Sequence, residues 1–118
     1  MGKNILIVVN AAPYGSERAL SALRIALTLS QRDEKSVVRL FFMSDGVGVA
    51  VANQQTAEKQ TLEIMLKEIA ANGAQVLLCK TCVAARGLEG VRWVDGVGIG
   101  TLNDLADWTL SADTTLCF

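Results

Sequence analysis

Three short and almost unbroken runs of aliphatic and β-branched residues, set apart by stretches with helical spacing, limit what this chain can fold into. They are Ile5-Leu6-Ile7-Val8-Val9, Val37 to Met43 interrupted only by Arg39, and Val76-Leu77-Leu78-Cys79. A strand with one wet face alternates apolar and polar residues. A strand covered on both faces has no such need and reads as a continuous apolar run, as in parallel sheets. The runs place a first strand over Lys3 to Asn10, a second over Val37 to Met43 and a third over Gln75 to Cys79. The glycine-punctuated segment Val91 to Gly100 has room for a short fourth, and Thr114 to Phe118 for a last.

The segments between them carry helix signals. Ser16 is a suitable N-cap with Glu17 in the first turn, and the helix should run to about Gln31 with Leu20, Leu23 and Leu27 toward the core. Asp33-Glu34-Lys35-Ser36 is a polar break. Leu62, Met65, Leu66 and Ile69 mark one face of a second helix, stopped at Asn72-Gly73. A short helical turn should follow the third strand and end at Arg86-Gly87. Thr101, with Asp104 three residues on, signals a cap for a helix that turns Leu102, Leu105 and Ala106 inward. Strands alternating with helices imply right-handed crossovers. The expected fold is α/β: one domain over residues 1–118, an open parallel sheet of about five strands with helices on both faces.

Composition narrows the functions. The chain has 118 residues, enough for one core. Eleven Lys and Arg against 12 Asp and Glu leave a net charge of -1, too weak a field to draw nucleic acid or an anionic membrane. No histidine is present, which removes Ser-His-Asp and Cys-His catalysis and imidazole metal ligands. An apolar share of 51% is high for so small a chain, and part of that surface is expected to be buried between subunits. No apolar run is long enough to span a bilayer. The first run is too short for a secretion signal and ends in Asn10 and Pro13, so a cytoplasmic location is expected. There thiols stay reduced, and three cysteines are not a disulfide framework.

Ligands of open α/β sheets sit outside the carboxyl ends of the strands. That rule collects Asn10, Pro13, Tyr14, Gly15 and Ser16 after the first strand, Ser44 and Asp45 after the second, and Cys79, Lys80, Thr81 and Cys82 after the third. A thiol that ends a strand and opens a helical turn feels exposed backbone N–H groups, which lowers its pKa. Lys80 and Arg86 could add positive charge to hold a thiolate or a persulfide anion. Cys79 reads equally as a sulfur nucleophile or as a small buried hydrophobe, and Cys117 is expected in the core. The site could also be a binding module for a small anion, or a thiol-disulfide pair of Cys79 and Cys82. A thioredoxin-like dithiol is weakened because the only proline is Pro13.

Other motifs carry less. Zinc needs about four ligands, and one Cys-x-x-Cys without histidine supplies two, so neither metal nor cofactor is expected. Gly96, Gly98 and Gly100 lack the dinucleotide fingerprint and read as a tight turn. Tyr14 and Ser16 could meet an anion at a helix start, although Ser16 reads first as a cap and Asp45 as a turn residue. Trp93 and Trp108 read as packing or subunit-interface residues.

Four segments, Asn10 to Glu17, Leu40 to Asp45, Leu78 to Gly87 and Gly96 to Asp113, together resemble the DsrE/DsrF-like family in order and spacing. The resemblance runs nearly end to end. It implies a five-stranded parallel α/β domain assembled as a homohexamer of two trimers, with the site near a subunit interface. In that family, which includes sulfur-relay subunits of tRNA thiolation and dissimilatory sulfur proteins, a cysteine after the third strand carries sulfur as a persulfide. Relay subunits work with donor and acceptor proteins. By its distance to Arg86-Gly87, Cys79 matches the carrier cysteine, and Cys82 occupies a variable position where it could resolve the persulfide as a disulfide.

Overall fold

The structure, a computed structural model, describes residues 2–32, 35–55 and 61–118. Its elements in chain order are β1 (Asn4–Val9), α1 (Arg18–Ser30), β2 (Val37–Phe42), a 3-10 segment (Ser44–Ala50), α2 (Thr61–Ala71), β3 (Gln75–Cys79), α3 (Lys80–Ala85), β4 (Val97–Gly100), α4 (Leu102–Ser111) and β5 (Thr114–Cys117). The strands form one sheet in the order β4-β3-β2-β1-β5, and every pairing is parallel. The chain steps one way across the sheet from β1 to β4 and returns in a single crossover to β5. Right-handed connections that step in opposite directions lie on opposite faces, so α4 covers the face that α1 and α2 do not.

The continuous apolar runs are explained by burial on both faces. Ile7, Val9, Leu40 and Phe42 point to one side and Leu6 and Phe41 to the other, and all are fully buried. Helix α1 lies close to the sheet because its buried stripe is Ala19, Ala22, Leu23 and Ala26. Leu20 and Leu27, expected in the core, are half-buried at the margin of that stripe. The helix begins at Arg18, so Glu17 holds the cap position and no acid sits in the first turn. Ser16 Oγ accepts the Arg18 N–H at 3.3 Å and closes a turn ahead of the helix. Asp33 and Glu34 of the polar break lie outside the described residues. Helix α2 stops at Gly73, whose φ of +101° is open chiefly to glycine.

Two expectations fail at the return crossover. Thr101 and Asp104 do form a reciprocal capping box, with Asp104 N–H donating to Thr101 Oγ1 and Thr101 N–H to Asp104 Oδ2. The start so fixed points Leu105 and Trp108 at the sheet and leaves Leu102 58% exposed and Ala106 exposed. Trp108 meets Phe41 edge-on with ring centroids 6.2 Å apart, and the Arg39 guanidinium lies 5.5 Å from the Trp108 centroid. Cys117, expected in the core, is exposed. It sits in β5, which pairs only with β1 at the sheet edge. Of the three closely spaced glycines, only Gly96, at φ +94°, makes a turn. Gly98 and Gly100 lie beneath Leu77, whose side chain a Cβ at either position would press against. Among the described residues no helix is long and apolar enough to cross a membrane.

Candidate functional site

Cys79 is the last residue of β3, an inner strand between β2 and β4. It is only 2% exposed. The backbone turns there, at φ -63° and ψ 117°, straight into α3, so Thr81 and Cys82 fold back over the end of the strand. Thr81 Oγ1 lies 3.2 Å from Cys79 Sγ. Burial pushes the Cys79 thiol up, but donation from the side chains of Thr81 and Cys82 and from their backbone N–H groups outweighs it and leaves the pKa below the ordinary value. Discrete donors within two or three residues achieve this, and they replace the diffuse dipole of a longer helix.

Cys82 is held from another side. The 3-10 segment starts at Ser44, whose φ of +53° is uncommon for a residue with a side chain. In that conformation the Ser44 N–H donates to Cys82 Sγ at 3.2 Å, and the Ser44 hydroxyl donates to Asn10 Oδ1 at 3.1 Å. The turn is pressed onto the end of β1: Met43 N–H donates to the Val9 carbonyl at 3.0 Å, and a Cβ on Gly46 would overlap that same carbonyl. Burial and the neighbouring Cys79 push the Cys82 thiol up, with the Ser44 N–H and the Arg86 charge opposing them.

Arg86 follows α3 and reaches across to the 3-10 segment. Its Nε and Nη2 both donate to Asp45 Oδ1, at 3.1 and 3.0 Å, and its Nη1 donates to the Cys82 carbonyl at 3.2 Å. The cation expected beside Cys79 is therefore bound to a carboxylate and acts on Cys82. Lys80 is exposed on α3 and is not among the groups that shift either thiol. Gly87, at φ +68°, ends the turn after α3. Asn10, Ser44, Asp45, Cys79, Thr81, Cys82 and Arg86 thus form one cluster from three strand ends.

The remaining expected site residues lie elsewhere. Pro13, Tyr14, Gly15 and Ser16 line a hollow of about 280 Å³ with Glu17, Leu20, Thr61 and Leu62. Its lining is mainly apolar and includes a carboxylate, which does not suit an anion. Tyr14 is tied down by Gln54: its hydroxyl donates to Gln54 Oε1 at 2.9 Å, and Gln54 Nε2 donates to the carbonyls of Gly48 and Val51. Nothing in the sequence marks Gln54 for this, since the contact spans 40 positions. Among the described residues no three cysteines or carboxylates are placed to hold a metal ion.

A DsrE/DsrF-like family profile matches residues 3–118. The chain belongs to the DsrE/DsrF-like family. Within that family it is 44% identical over 116 residues to Protein YchN of Escherichia coli K12, covering 98% of this chain and 99% of that one. It is 36% identical over 114 residues to an uncharacterised protein of Methanopyrus kandleri, covering 97% and 93% of the two chains. The crystal structure of E. coli YchN superimposes over 100% of both chains with a TM-score of 0.92 and 45% identity. A protein of unknown function from Methanobacterium thermoautotrophicum shares the fold at a TM-score of 0.79 and 14% identity, over 98% and 99% of the chains. The five-stranded, all-parallel sheet described above matches the YchN structure over the whole chain.

Proposed function

We propose that this DsrE-like chain is a sulfur carrier whose Cys79 thiolate accepts a sulfane sulfur. The Cys79 sulfur attacks the outer sulfur of a persulfide, a bond forms between Cys79 Sγ and that sulfur, the S–S bond of that persulfide breaks, and its inner sulfur leaves as a thiolate. The observation that carries the reading is the set of donors around Cys79 Sγ, which keeps a buried thiol below its ordinary pKa. A merely structural cysteine at a strand end needs no such donors. Membership of a family that includes sulfur-relay proteins supports it. Cytoplasmic donor and acceptor proteins complete the cycle.

The same proposal has copies of the chain assembling into a homo-oligomer, a hexamer by family resemblance. Leu102, Ala106 and Leu110 recur every four residues on the outer side of α4, and Leu110 is 86% exposed. Such an apolar stripe on a small domain is suited to a second copy.

A dithiol-disulfide cycle is the second reading, favoured by the placement of Cys79 and Cys82 three residues apart across the turn from β3 into α3. One experiment separates the two. The protein is incubated with a cysteine desulfurase and cysteine, and its intact mass is measured beside Cys79→Ser and Cys82→Ser. A stable gain of one sulfur atom, reversed by dithiothreitol and not retained in Cys79→Ser, is expected. Loss of two protons with no gain of sulfur would replace the carrier by the redox pair. No change under conditions that load a known relay protein would reject the carrier.

A further inference from the structure

The two thiols of the site differ in access. Cys79 is 2% exposed at the end of an inner strand, walled by β2, β4 and the turn into α3. Cys82, one helical turn on, is half-buried and lies on the solvent side of the pair. A sulfur donor brings at least its own thiol and the chain that carries it. In-line attack needs the reacting sulfurs in contact and collinear with the leaving sulfur, a geometry that a donor larger than a few atoms cannot reach at a site 2% exposed. The charged groups repeat this asymmetry. Arg86 donates to the Cys82 carbonyl at 3.2 Å and Ser44 N–H to Cys82 Sγ at 3.2 Å, so the outer cysteine has a fixed donor on its sulfur and the guanidinium on its backbone.

We propose that Cys82 is the port through which sulfur enters and leaves the site, while Cys79 holds it. The inference rests on the carrier reading above and assigns the first acceptor within it. In the entry step Cys82 sulfur attacks the outer sulfur of a donor R–S–SH; the donor S–S bond breaks, and R–S leaves with the proton that Cys82 gave up. In the inward step the Cys79 thiolate attacks the outer sulfur of Cys82–S–SH. A bond from Cys79 Sγ to that sulfur forms, the bond to Cys82 Sγ breaks, and the proton of the terminal sulfur passes to Cys82. The products are Cys79–S–S⁻ and Cys82–SH. The transferred atom stays sulfane sulfur throughout, so no oxidant or reductant is consumed, and both steps run in reverse toward an acceptor thiol. Cys79 closes β3 and Cys82 lies in the first turn of α3 directly after it, so the inward step stays within one turn of the chain.

The test compares two donors of different bulk, inorganic tetrasulfide and glutathione persulfide, with loading followed by time-resolved intact mass. Wild type should load from both. Cys82→Ser should load from tetrasulfide within about twofold of wild type, because a thin linear donor can reach Cys79 directly, and should be slowed at least about tenfold with glutathione persulfide. Loading from tetrasulfide also shows that the variant is folded with a working Cys79. Equal rates for Cys82→Ser and wild type with glutathione persulfide would overturn the port. A Cys82→Ser protein that loads from neither donor would also overturn it, since it would show that Cys79 is not competent alone. Wild type that loads from neither donor is a separate result, and it rejects the carrier reading itself.

Discussion

At the scale of single residues, Thr81 is the side chain whose loss should speak most directly to Cys79. Its hydroxyl is 3.2 Å from the Cys79 sulfur and is the first of the donors that work against burial. Thr81→Val keeps the shape and removes that donor. A hydrogen bond to a charged group is worth about 1.5 kcal/mol, so the thiolate fraction of Cys79 near neutral pH should fall about tenfold. The expected readout is a rise in the pH midpoint of Cys79 alkylation by a small reagent, with the unfolding temperature nearly unchanged because Thr81 is exposed. An unmoved midpoint would show that the backbone donors suffice. Thr81 and both cysteines were legible from sequence as members of a Cys-Lys-Thr-Cys turn at a strand end. The engagement of Arg86 by Asp45 was not, because the partner lies 41 positions away, Asp45 alone reads as a turn residue and Arg86 alone as a charge for the sulfur anion.

At the scale of elements, one carboxylate joins α2 to the segment before it. Glu63 is buried in the first turn of α2, and its Oε1 accepts the N–H of Asn53 at 2.7 Å, where Asn53 sits at φ +67°. Lys67, one turn on, pairs with it at 3.5 Å. The Asn53 N–H holds the carboxyl below its ordinary pKa against the opposing effect of burial, with help from Lys67 and Arg92. A lowered folded pKa means that the carboxylate's stabilisation is complete above the unfolded pKa and is lost as pH falls through the folded value. Wild type should therefore lose stability over the acid side of the carboxylate range. Glu63→Gln should be less stable by about 1 to 2 kcal/mol at neutral pH and should lose less on acidification. Denaturant unfolding of both proteins at neutral and acid pH checks this; parallel losses would remove Glu63 from the account. The buried Glu63 had no sequence signal, since an acid in a first turn normally faces water. The ends of β3, α3 and α4 were legible because Cys79, Gly87 and the Thr101–Asp104 pair fix them chemically. The face of α4 was not, because Leu102, Leu105 and Ala106 fit a helical stripe as well as Leu105 and Trp108 do. The choice is made by Phe41, 67 positions earlier than Trp108, whose ring Trp108 meets edge-on.

At the scale of the whole molecule, the single return crossover leaves one face of the sheet with α4 as its only helix among the described residues, and α4 contains no fully buried residue. The apolar stripe on its outer side is where the proposed homo-oligomer would seat a second copy. Leu102→Lys with Leu110→Lys should shift the mass measured by light scattering to a smaller species while leaving the circular dichroism of the fold unchanged, and an unchanged mass would move the contact elsewhere. The parallel sheet could be inferred from three apolar runs, because burial on both faces removes the alternation a wet strand must keep. Which thiol faces water could not, since Cys79 and Cys82 differ by one helical turn and their exposure is set by the strands on either side. Placement that deep also bears on chemical lifetime. A thiolate is the form that peroxides convert to sulfenic and then irreversibly to sulfinic acid, and those reactions depend on reach as much as on charge. Exposed Cys117 and half-buried Cys82 stand nearer to such oxidants than Cys79 does. The sulfur proposed to carry the cargo is thus the least exposed of the three to such reagents.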